Sequence, residues 1–143
     1  MIEKIKPNIL YIDDESINLS LFNLSFKKNY QIKLFTSSDE ALKSISECSY
    51  EVIISDQRIL LMNGKLFMVE ARKISSNSKF ILLTGYTDLK AIEKAVNDIG
   101  ICACVKKPWD KRKLKTIIDN ACSRIQQDKE NSTIQASLEQ NLE

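Results

Sequence analysis

The chain has 143 residues, 43% apolar and 28% charged, with a formal net charge of +2. That is one domain's length with an ordinary globular balance, and the charge carries no signature of direct nucleic-acid binding. No apolar stretch approaches the roughly 18 residues that span a bilayer, and Met1 to Pro7 holds no apolar signal segment, so a cytoplasmic chain without a membrane partner is expected.

Ile9-Leu10-Tyr11-Ile12 is a short apolar run of the kind buried on both faces of a sheet. It ends in Asp13-Asp14-Glu15. Acids this close repel one another unless a cation shares the site. Ser16 to Lys28 reads two ways by period, and the acids before it and Lys27-Lys28 at its end favour a helix. Ile17, Leu21 and Leu24 would form its inner face. Ile32-Lys33-Leu34-Phe35 alternates, as an edge strand with one wetter side does. Ser37 and Glu40 have capping-box spacing for a helix that buries Ala41, Leu42 and Ile45.

Val52-Ile53-Ile54-Ser55 then runs straight into Asp56, with a turn signal at Asn63-Gly64. Gly64 to Ile74 reads as a helix with Phe67, Ala71 and Ile74 on one face. Phe80 to Thr84 is another buried strand, followed by Gly85-Tyr86-Thr87-Asp88. A fourth helix is expected from about Asp88 to Asn97, with Ile92, Ala95 and Val96 inward. Ile101 to Val105 reads as the fifth strand, and Asp110 as the N-cap after Lys106-Lys107-Pro108-Trp109. The fifth helix places Leu114, Ile117, Ile118, Ala121, Cys122 and Ile125 at helical spacing. From Gln126 the composition turns polar, with Ile134, Leu138 and Leu142 recurring every four residues. Residues 1–125 thus read as one domain, and 126–143 as a tail, helix extension or linker. Cys48, Cys102, Cys104 and Cys122 lack metal-ligand spacing and no histidine is present, so they read as small apolar side chains.

Five successive strand–helix units with short connections predict an α/β fold, flavodoxin-like: a doubly wound parallel (βα)5 sheet of order 2-1-3-4-5. That order brings the ends of strands one, three, four and five together, and with them Asp13, Asp14, Asp56, Thr84 and Lys107. Oxygen-only ligands point to Mg²⁺ or Mn²⁺. A metal, an ammonium and a hydroxyl around a carboxylate suit phosphoryl transfer to that carboxylate.

Tyr11-Ile12-Asp13-Asp14-Glu15, Ser55-Asp56-Gln57-Arg58 with Met62-Asn63-Gly64, Leu83-Thr84-Gly85-Tyr86-Thr87-Asp88 and Lys107-Pro108-Trp109-Asp110 together resemble the receiver domain of two-component response regulators, over about residues 7 to 125. The resemblance implies a signalling phosphoacceptor rather than an enzyme acting on a separate substrate. Asp56 would take a phosphoryl group from a histidine kinase, a phosphotransfer protein or a small acyl phosphate. Asp14 would hold Mg²⁺ directly, Asp13 through water and Arg58 by its backbone carbonyl. Thr84 and Lys107 would bind the phosphoryl group, across a cis Lys107-Pro108 peptide. The response would reach an effector protein, an output domain outside this sequence or a homodimer formed through the fourth helix, fifth strand and fifth helix. An output of the cyclic-di-GMP phosphodiesterase kind is one analogy.

The chain departs from the family pattern at three places. Ile59-Leu60 replaces the usual Met-Pro, and Cys104 replaces the aromatic ring that moves with the switch threonine. Arg58 and Tyr86 occupy positions that tune hydrolysis of the acyl phosphate. A constitutive interaction scaffold is the competing reading, supported by Cys104. An aspartyl phosphohydrolase would want a carboxylate where Arg58 stands. The bulk of Arg58 and Tyr86 beside the acyl phosphate predicts slow dephosphorylation. Arg58→Asn and Tyr86→Glu should each shorten the lifetime of the phosphorylated chain, followed by intact mass; a lengthened lifetime would contradict this.

Overall fold

The computed structural model describes residues 5–56, 65–85, 97 and 100–123. Their elements are β1 (Asn8–Ile12), α1 (Ser16–Phe26), β2 (Gln31–Phe35), α2 (Ser38–Glu47), β3 (Val52–Asp56), α3 (Lys65–Ile74), β4 (Lys79–Thr84) and β5 (Ala103–Lys106). A closing helix covers 111–123. The strands form one parallel sheet ordered β2-β1-β3-β4-β5, as the sequence predicts. The boundary at 125/126, Ile125 and most of the predicted fourth helix lie outside the described residues.

Side chains alternate across a strand, so each buried strand supplies two cores. Leu10, Ile12, Ile53, Phe80 and Leu82 meet Ala41 and Ile45 of α2 and Phe67, Met68 and Ala71 of α3. Ile9, Tyr11, Val52, Ile54, Ile81 and Leu83 meet Leu19, Phe22 and Phe26 of α1 and Leu114, Ile118 and Ala121 of the closing helix. β2 is the wetter edge expected, with Gln31 and Lys33 exposed. Two helix starts are capped as their sequences foretell. Ser37 Oγ accepts from Glu40 N at 3.4 Å, and Asp110 Oδ1 from Lys113 N at 3.0 Å.

Three expectations about packing are corrected. On α1 the inner face is Leu19, Phe22 and Phe26, while Ile17, Leu21 and Leu24 face solvent. Rings remove more apolar area from water than aliphatic side chains and hold one another in tilted contact. Tyr11 to Phe22 is 4.8 Å between ring centroids, Phe22 to Phe26 is 4.9 Å and Phe26 to Trp109 is 5.6 Å, which sets the rotation of the helix. On α3, Met68 joins Phe67 and Ala71 inside, and Ile74 is exposed. Ile74 ends the helix beside an open cleft with Tyr50 and Ser78 at the N-terminal edge of the strands. Leu42 is only half-buried, packed on the rim of the α2–α3 core.

Tyr30 ties the end of α1 to the closing helix. Its hydroxyl donates to Asp119 Oδ1 at 2.6 Å, and Lys115 Nζ donates to Asp119 Oδ2 at 2.7 Å. Burial first, then Asp119, pushes the phenol above its ordinary value of 10.0. A folded value above the unfolded one stabilises fully below the unfolded value and fades as pH rises through the folded one. Tyr30→Phe should therefore cost about 1 kcal/mol at neutral pH, by urea unfolding. It should also lose less stability than the parent as pH climbs past 10.0. An unchanged alkaline slope would refute this role for the tie.

Candidate functional site

Strand register assembles the site. Ile12 pairs with Ser55, so Asp13 emerges level with Asp56. Asp56 pairs with Leu83, and Thr84 follows it. Thr84 pairs with Lys106, and Lys107 is next. Lys107 N extends that ladder by donating to Thr84 O at 2.7 Å. All four residues thus stand at the carboxyl end of the sheet, where open α/β folds bind ligands. Asp13, Asp56 and Thr84 are buried, and Asp14 is exposed.

Lys107 reaches between the two buried acids. Its Nζ donates to Asp56 Oδ1 and lies 3.5 Å from Asp13 Oδ2. Lys106 beside it is exposed, an ordinary solvated lysine. The Lys107–Pro108 peptide is cis, as the resemblance implies.

Asp13 is held on both oxygens. Tyr11 hydroxyl donates to Oδ2 at 2.5 Å and Asn18 Nδ2 to Oδ2 at 3.2 Å, while Glu15 N donates to Oδ1 at 2.9 Å. Burial acts to push this carboxyl up. The bonds from Tyr11 and Glu15 N, the Lys107 charge and Asn18 together outweigh it and hold the group below its ordinary 3.8. Asp13 is therefore ionised and fixed in orientation. Neither Tyr11 nor Asn18 was singled out from the sequence as a partner of Asp13. Tyr11 could have been found, because it lies two residues before Asp13 on the same strand face. Asn18 belongs to the next helix and carries no such mark.

Asp13, Asp14 and Asp56 can each bring one oxygen to within 4.8 Å of the others. With Lys107 subtracted, these three carboxylates leave a net charge of about −2. All-oxygen donors with that residual charge fit a hard divalent cation. Arg58 and Tyr86 lie outside the described residues. Cys104 is half-buried on the α2–α3 side of the sheet, the side that Thr84 shares by alternation. Burial first, and Cys102 second, push its thiol up, so it is a neutral, small side chain.

The response regulator receiver domain family matches residues 9–119. The chain belongs to that family. This receiver domain is 29% identical over 104 residues to the hydrogenase transcriptional regulatory protein HoxA of Cupriavidus necator, covering 73% of the chain and 22% of that protein. It therefore spans about a quarter of the length of the curated transcriptional regulators it matches first. Among solved structures it is similar to a response regulator receiver domain protein from Clostridium thermocellum, with a TM-score of 0.75 and 30% identity over 82% of this chain and 95% of that one. The receiver domain of a sensor histidine kinase from Pseudomonas aeruginosa, solved with magnesium in its active-site cleft, shares the fold at a TM-score of 0.73 and 20% identity, covering 82% of this chain and 98% of that one. Among the described residues no helix is long and apolar enough to cross a membrane.

Removing one partner of a buried ion pair leaves an uncompensated charge. Lys107→Met, unfolded by urea in EDTA, should lose about 3 kcal/mol of stability. The double variant Lys107→Met/Asp56→Asn should recover most of that loss. Equal instability of the single and double variants would show that the lysine does not balance Asp56.

Proposed function

We propose that Asp56 is the phosphoacceptor of this receiver domain. An Asp56 carboxylate oxygen attacks phosphorus, the bond from phosphorus to a phosphohistidine nitrogen breaks, and the electron pair leaves with the imidazole. The product is an acyl phosphate on Asp56. A small acyl phosphate serves as donor in the same way, with a carboxylate leaving. The observation that carries this reading is the ion pair of buried Asp56 with Lys107 beside the Asp13–Asp14 carboxylates. An acid already neutralised by an ammonium meets an anionic phosphoryl group with less repulsion.

Asp13, Asp14 and the backbone carbonyl of Arg58 would hold Mg²⁺, or Mn²⁺ in its place, together with Asp56. Bound there, the ion offsets the charge of the phosphoryl oxygens. The Pseudomonas aeruginosa receiver domain of the same fold holds magnesium in its cleft, which supports a divalent ion here. Asp13 is kept ionised and aimed by Tyr11, Asn18 and Glu15 N. Lys107 stays on the phosphoryl side of Asp56, and the Thr84 hydroxyl binds a phosphoryl oxygen.

The added charge switches a protein surface made of the predicted fourth helix, β5 and the closing helix. Cys104 lies within that surface and provides no ring to follow Thr84, so Thr84 transmits the change by its own movement. The domain, over residues 1–125, catalyses only its own phosphorylation and dephosphorylation. It works in the bacterial cytoplasm between a histidine kinase or phosphotransfer protein and an effector. That effector is a separate protein, a second copy or an output domain beyond the sequence, as in the longer transcriptional regulators.

Intact mass after incubation with acetyl phosphate and Mg²⁺ tests the chemistry. A single phosphoryl adduct is expected on the parent chain and none on Asp56→Asn or in EDTA. Thr84→Ala should still accept phosphate while losing any change in oligomeric state. An unmodified parent chain would leave the constitutive scaffold as the function.

A further inference from the structure

α1 is apolar on two opposite faces. Leu19, Phe22 and Phe26 are buried against the sheet, whereas Ile17, Leu21 and Leu24 are 78%, 55% and 66% exposed. These are three of the five large exposed hydrophobics among the described residues. Their spacing of four and then three residues makes one seam along the helix, turned away from the sheet. No charge interrupts it, because Ser16 to Phe26 holds no Asp, Glu, Lys or Arg. The other outer helices are built differently. α2 exposes Asp39, Glu40 and Lys43, and α3 exposes Glu70, Arg72 and Lys73. A helix apolar on all sides is normally covered on all sides, and a contiguous exposed stripe marks a contact surface.

We propose that this seam is a self-pairing surface, on which α1 of a second copy lies antiparallel about a two-fold axis at Leu21. The ends of the helix give the first support. Asp14 and Glu15 precede it and Lys27 and Lys28 follow it, all four exposed. Leu21 stands six or seven residues from each pair, about 10 Å of helix. An antiparallel copy therefore sets the acids of each chain against the lysines of the other, twice over. A parallel copy would set acids on acids and lysines on lysines.

The seam has the same symmetry. Ile17 falls opposite Leu24 of the second copy, and the two Leu21 side chains meet near the axis. Such a contact is isologous, the same patch serving on both subunits. Ser20 and Ser25 border the seam on its two sides, and small side chains there allow close approach of the helices. Because the seam lies opposite the core face, the two sheets sit on the outer sides of the helix pair and leave the approach open. α1 is thus complementary to itself in charge and in apolar spacing at once, which makes a second copy the occupant.

Three aliphatic side chains from each copy, with exposed ion pairs at both ends, make a small contact. Its dimer belongs to the weak class that forms and dissociates with concentration. It uses a different face from the predicted fourth helix, β5 and the closing helix, and it needs no phosphoryl group on Asp56.

Sedimentation equilibrium of the full chain tests this over a range of protein concentrations, at low salt in EDTA and without a phosphodonor. The parent should dimerise as concentration rises. Leu21→Ser should weaken association about a hundredfold, because the apolar contact is lost from both copies. Lys28→Glu should weaken it about tenfold, and adding Glu15→Lys should recover part of that loss by restoring opposite charges across the pair. All three positions are exposed, so each variant should stay folded. A parent that remains monomeric at every concentration would overturn the proposal and give the seam to a different partner. An association untouched by Leu21→Ser would overturn it too, as would a Lys28→Glu loss that Glu15→Lys does not relieve.

Discussion

Asp13 and Asp56 are carboxylates buried side by side at the ends of neighbouring strands, and Lys107 places its ammonium between them. Burying ionised acids in adjacent positions is costly unless a positive charge shares the space. The pairing with Lys107 makes that edge of the sheet tolerable when no cation is bound. The partly balanced cluster keeps a residual negative charge that suits a hard divalent cation. The register of β1, β3, β4 and β5 exists around this arrangement. A one-residue slip in any strand would turn its terminal residue to the other face.

The site and the α1-side core are joined through Tyr11. Its ring packs on Phe22 within that core, and its hydroxyl fixes Asp13. Phe22 and Phe26 in turn contact Trp109, two residues after Lys107. The aromatic wall therefore supports both halves of the charge cluster, one through Tyr11 and the other through the cis Lys107–Pro108 turn. Packing in this wall and ionisation in the cleft are parts of one structure.

The opposite face of the sheet is built differently. There Cys104 stands on β5 opposite Leu82, where a ring is usual in the family. Among the described residues, the sheet edge brings Asp13, Asp14 and Asp56 together with Lys107, and the departure from the family pattern lies on β5. A thiol fills less space than a ring and leaves the α2–α3 side with less to displace.

The sequence by itself determined the sheet. Short apolar runs ending in Asp13, Asp56 and Thr84, with helix signals between them, leave a doubly wound parallel order as the one consistent arrangement. The charged and hydroxyl residues of the cleft followed, because a strand end has a known place in that order. The caps at Ser37 and Asp110 were legible too, being local chemistry, whereas the cis Lys107–Pro108 peptide was implied by the family resemblance. Tertiary structure alone decided which stripe of α1 turns inward. Both stripes have helical spacing, and the choice rests on rings of Tyr11 and Trp109 that come from other elements. It also decided that Asn18 serves Asp13, since a hydrogen bond from another element depends on distances that no spacing along one chain records.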